Sequence, residues 1–195
     1  MSTTQQTYWT ESSIARAVRS SRRVESTNLI VIGLAVATVA ASGLTNEIGT
    51  ASLFAGVVVA ATFSAVWAVT AWRSWRTGVR GVRIGYGALA VASVLGLGYV
   101  MLGSAVLGPL TIIGAGFVLI GWREQSRRIW ITGSVLAVYG IGTAPELLAR
   151  YVGFDTVELV TRIATVTTGP VAVLVLALGG DSFLRENREI NSRAA

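Results

Sequence analysis

Apolar residues fall along this chain in long blocks separated by short polar clusters. Six blocks stand out: Asn28 to Leu44, Thr50 to Trp72, Ile84 to Leu102, Ala105 to Trp122, Ile129 to Leu148, and Thr156 to Leu178. A helix that rises about 1.5 Å per residue needs about 20 residues to cross about 30 Å of hydrocarbon, and each block meets or approaches that length. In hydrocarbon the backbone must satisfy its own hydrogen bonds, so the many Val and Ile residues belong to helices and not to strands. Short links place successive helices antiparallel. The pattern predicts an all-α integral membrane protein with six transmembrane helices arranged as three antiparallel hairpins. It divides the chain into a basic N-terminal segment (1–27), a six-helix domain (28–180) and a tail (181–195).

Arginine falls on alternate links. Arg16, Arg19, Arg22 and Arg23 precede the first block; Arg73, Arg76, Arg80 and Arg83 follow the second; Arg123, Arg127 and Arg128 follow the fourth; Arg185, Arg188 and Arg193 follow the sixth. These fourteen lie on one face of an even-numbered bundle, and the other face holds Arg150, with Arg162 within or at the outer edge of the sixth block. Arginine-rich short links stay cytoplasmic. Both termini are therefore expected in the cytosol of a multi-pass cell-membrane protein. One block more or fewer would split the clusters between faces. The outer links, around Thr45 to Gly49, Gly103 to Ser104 and Ala149 to Asp155, leave no room for an extracellular domain.

Within the N-terminal segment Ile14, Ala17, Val18, Ser21 and Val24 recur every three or four positions, beside Tyr8 and Trp9. That spacing predicts a short, weakly amphipathic helix lying on an anionic leaflet; a partly disordered basic tail that only orients the first helix fits the same residues. The first apolar block is longer than a signal-peptide core and is taken as a retained helix.

Composition agrees and narrows the chemistry. The 195 residues are 52% apolar and 13% charged, wrong for a soluble surface. All sixteen basic residues are Arg, and the chain lacks Lys, His and Cys. Disulfides, thiolate nucleophiles, imidazole bases, histidine–zinc and haem–histidine ligation, and lysine Schiff bases are thereby excluded. The net charge of +6 sits in short clusters between apolar blocks, which orients helices and does not form a nucleic-acid face. No phosphate loop, nucleophile elbow or paired-carboxylate spacing occurs, so no catalytic, cofactor or metal residues are expected.

Trp72-Arg73 and Trp122-Arg123 end the second and fourth blocks alike, 50 residues apart, as a repeated hairpin would or as any helix anchored at an inner boundary would. Three loosely similar hairpins resemble in outline the HdeD-like family of small six-helix membrane proteins; the resemblance implies the helix count and nothing about activity. Glycines inside the blocks, including Gly96, Gly98, Gly114, Gly116, Gly140 and Gly142, allow close helix approach, as does the Gly81–Gly85 spacing.

Charge inside a span is costly, which singles out the last hairpin. Glu146 lies near the outer end of the fifth block, and Glu158 precedes Arg162 by four positions, on one helix face in the favourable order for an ion pair. An outward polar pocket for a small solute or proton is one use of these residues; Arg162 snorkelling to the outer interface with Glu158 or Asp155 is the other. Helix breaks are expected at Gly140, Gly142 and Pro145, and again at Gly169 and Pro170, near one another in depth. Pro109 is expected to mark the start of the fourth helix. The leading expectation is a non-catalytic accessory or interaction protein whose partners are the lipid bilayer and a homo- or hetero-oligomer within it. The alternative is a small-solute or proton-coupled transporter built on the last hairpin.

Overall fold

The computed structural model describes residues 25–42, 51–77, 84–144, 151 and 154–191. The expected N-terminal amphipathic helix, the first outer link, Gly81, Pro145, Glu146 and Arg150 lie outside the described residues.

Among the described residues the chain forms seven helices and no strand: α1 (Glu25–Ser42), α2 (Ala51–Thr77), α3 (Ile84–Leu95), α4 (Leu97–Leu107), α5 (Pro109–Arg123), α6 (Arg127–Gly142) and α7 (Phe154–Asn191). Three of them contain apolar stretches long enough to cross a membrane, Glu25–Ser42, Phe54–Trp72 and Leu159–Arg188, and a fourth is present if α3 and α4 count as one bent span.

That bend corrects the expected straight helix over 84–102. The chain turns by 88° between α3 and α4. Gly96 sits at the corner with φ −89° and ψ 20°, and a Cβ there would come within 2.6 Å of the Ala92 carbonyl oxygen. The expected link at Gly103–Ser104 is also displaced. Both residues lie within α4, and the chain reverses at Gly108, whose φ of 81° is a left-handed value that favours glycine. Pro109 then opens α5, where its missing N–H is harmless.

The last helix differs as well. α7 runs unbroken for 38 residues through Gly169 and Pro170. Proline removes one helix bond, but in an apolar surrounding unwinding would expose several more backbone groups, so the helix continues. Gly140 lies inside α6, buried, and the helix ends at Gly142, within the expected break, with Thr143 as its C-cap.

Glycine sets the tightest packing. α5 and α6 run antiparallel with Gly121 against Trp130, Gly114 against Ala137 and Gly133, and Gly140 against Thr111, each so close that a Cβ would strike backbone. Phe117 on α5 is fully buried and meets Phe63 of α2 with ring centroids 6.0 Å apart. α1 lies antiparallel along α7, with Gly33 against Leu176 and Gly179 against Ile30. Outward-facing positions are as apolar as the core: Leu95, Tyr99, Val138, Val166 and Val173 are all exposed. A water-facing surface rarely carries so many exposed large apolar side chains.

Candidate functional site

The polar residues singled out in the last hairpin are described only in part. Glu146 is outside the described residues. Glu158 and Arg162 do lie four positions apart on the same helix, and Arg162 is exposed there. Gly142 and Gly169 face open space, so neither marks a close approach. A polar cluster joins α6 to α7 through hydroxyls: Tyr139 of α6 bonds Thr167 at 2.7 Å and Thr168 at 2.9 Å. Thr167 and Thr168 also donate back to the Ile163 and Ala164 carbonyls. This cluster fastens α6 to α7.

Other hydroxyls inside the bundle are also satisfied by their own helices. Thr62 donates to Val58, Ser93 to Ala90, Ser104 to Met101 and Thr111 to Leu107. Local bonds of this kind keep these four hydroxyls on their own helices.

Polar contacts between helices concentrate at one end. Arg128, at the start of α6, donates to Ser182 of α7 at 3.0 Å and pairs with Glu25 of α1 at 3.6 Å. Ser26 donates to Glu186 at 2.8 Å. Asn28, fully buried, donates to the Tyr86 hydroxyl of α3 at 3.2 Å. Its Oδ1 is buried with no hydrogen-bond partner.

Beside Tyr86 lies a half-open cavity of about 570 Å³. Tyr86 and Leu89 of α3 line one wall, Leu119, Ile120 and Trp122 of α5 the other, and Arg123, Glu124 and Gln125 form the rim. The rim is held by a tight turn. Gln125 has φ 53°, Ser126 N–H donates to the Gly121 carbonyl at 3.0 Å, and the Ser126 side chain caps α6 by accepting from Ile129 N–H. Glu124 and Arg123 both lie within electrostatic reach of the Tyr86 hydroxyl. Among the described residues no three acidic side chains approach one another as a metal site would require.

Sequence patterning did not pick out this cavity. Its signals were an asparagine and a tyrosine opening otherwise apolar blocks, and the Trp122-Arg123-Glu124 run, which reads equally well as an ordinary membrane-boundary anchor. Compared with protein-family models, curated proteins and solved structures, the chain matches none, so the outline resemblance to HdeD-like proteins carries no further weight.

Proposed function

We propose that this chain is a multi-pass cell-membrane protein with both termini in the cytosol, acting as a non-catalytic accessory or interaction protein. α1, α2, the bent α3–α4 pair, α5, α6 and α7 supply six crossings. α5 and α6 have 15 and 16 residues, about 22 and 24 Å at the usual rise, so they cross where the hydrocarbon thins locally.

The observation that carries the proposal is the pairing of an apolar exterior with self-satisfied interior hydroxyls. Leu95 and Tyr99, more than four-fifths exposed, flank the bend at Gly96 and offer a lipid- or protein-facing surface. Thr62, Ser93, Ser104 and Thr111 spend their hydroxyl protons on their own helices. Photo-crosslinking groups placed at Leu95, Tyr99, Val138 and Val166 in native membranes are expected to yield a discrete protein adduct from at least one face. Lipid adducts alone at all four positions would overturn the interaction role.

A small-solute or proton-coupled transporter is the second reading, supported by the four-residue spacing of Glu158 and Arg162 on α7. Flux in proteoliposomes that falls with Glu158→Gln and Arg162→Gln would favour it over the accessory role. Flux indifferent to both changes removes its basis.

A further inference from the structure

The cavity between α3 and the α5–α6 turn presents one cation and one anion side by side on its rim, and neither Arg123 nor Glu124 forms an ion pair among the described residues. Its lining turns apolar away from that rim. Leu119 lies one turn before Arg123 on α5, and Leu89 lies one turn beyond Tyr86 on α3, which runs the other way. Charge at the mouth and hydrocarbon beneath describe the outline of a lipid. The volume of about 570 Å³ falls within the range of small-molecule sites, about 300–1,000 Å³.

We propose that this cavity seats the headgroup and upper acyl segment of a zwitterionic phospholipid bearing a primary ammonium, with its phosphate on Arg123 and its ammonium on Glu124. Guanidinium suits phosphate because its N–H groups fork onto two oxygens. The Glu124 carboxylate accepts N–H bonds that an ammonium provides and a quaternary choline lacks. It also opposes a headgroup of net negative charge. Trp122 stands at the mouth, where an indole ring favours the interface and can stack on a cation.

The site is built before any lipid arrives. The tight turn at Gln125 fixes the backbone from which Arg123 and Glu124 project. Asn28 donates to the Tyr86 hydroxyl and so holds that side chain in the cavity wall.

This inference rests on the membrane reading above, and its test separates the two. The full chain, purified in detergent and stripped of lipid, is melted with added phosphatidylethanolamine, phosphatidylcholine, phosphatidylglycerol or soluble phosphoethanolamine. Phosphatidylethanolamine is expected to raise the melting temperature most. Its half-maximal concentration is expected to rise about fivefold in Arg123→Gln and in Glu124→Gln, the loss of one exposed charge contact, and to stay at the parental value in Arg185→Gln. Arg123 and Glu124 are exposed, so lipid-free melting of both variants should match the parent. Equal protection by the three lipids, stronger protection by the anionic one, variants that respond like the parent, or full protection by soluble phosphoethanolamine would each overturn the proposal. A chain that stays in solution without detergent would instead overturn the membrane reading itself.

Discussion

At the scale of single residues, what each glycine contacts matters more than how many there are. Gly114 and Gly121 have no room for a methyl group, because it would strike the backbone of α6, whereas Gly98 and Gly142 face open space. Gly114→Ala and Gly121→Ala are therefore expected to destabilise the bundle by about 1–3 kcal/mol, and Gly98→Ala and Gly142→Ala by less than about 0.5 kcal/mol, as read by thermal unfolding in detergent. Tyr139→Phe should cost only about 0.6 kcal/mol, since Thr167 and Thr168 keep their backbone acceptors after the phenol is lost. The sequence shows that Gly114 and Gly98 are small; it does not show which of them has a neighbour, because that neighbour lies on another helix.

At the scale of elements, the two strongest local signals gave opposite results. Pro170 marks an expected break that is absent, and Gly96 marks an 88° bend that went unexpected. Proline costs one hydrogen bond wherever it sits, and in an apolar surrounding the rest of the helix holds. Glycine lets the chain turn without forcing it to, so the direction comes from what α3 and α4 pack against, notably Trp67 of α2 beside Gly87 and Gly56 of α2 beside Met101. Pro170→Ala is expected to leave helix content unchanged by circular dichroism and stability within about 1 kcal/mol, whereas Gly96→Ala should destabilise by about 1–3 kcal/mol. The contact of α1 with α7 has its own test. Because the chain contains no cysteine, Ile30→Cys combined with Gly179→Cys should give an intramolecular disulfide on mild oxidation, while Ile30→Cys with Leu159→Cys, several turns further along α7, should not.

At the scale of the whole molecule, the arginine pattern was the most informative feature of the sequence. It grouped the start of the first block, the Arg123–Arg128 turn and the final segment on one face. Glu25, Arg128, Ser182 and Glu186 do lie together at one end of the helices. The apolar blocks alone could give the helical class and where most helices start, but not where they end. They could not give the cavity at Tyr86 and Glu124, since that depends on the separation of α3 from α5. The central claim is that this end faces the cytosol and the bundle crosses the bilayer an even number of times. Single cysteines at Asn46, Gln125 and Asn187, probed in intact cells with a membrane-impermeant maleimide, test it most directly. Labelling at Asn46 alone, with Gln125 and Asn187 reacting only after permeabilisation, is the predicted result. Labelling of Gln125 in intact cells, or of Gln125 and Asn187 from opposite faces, would contradict it.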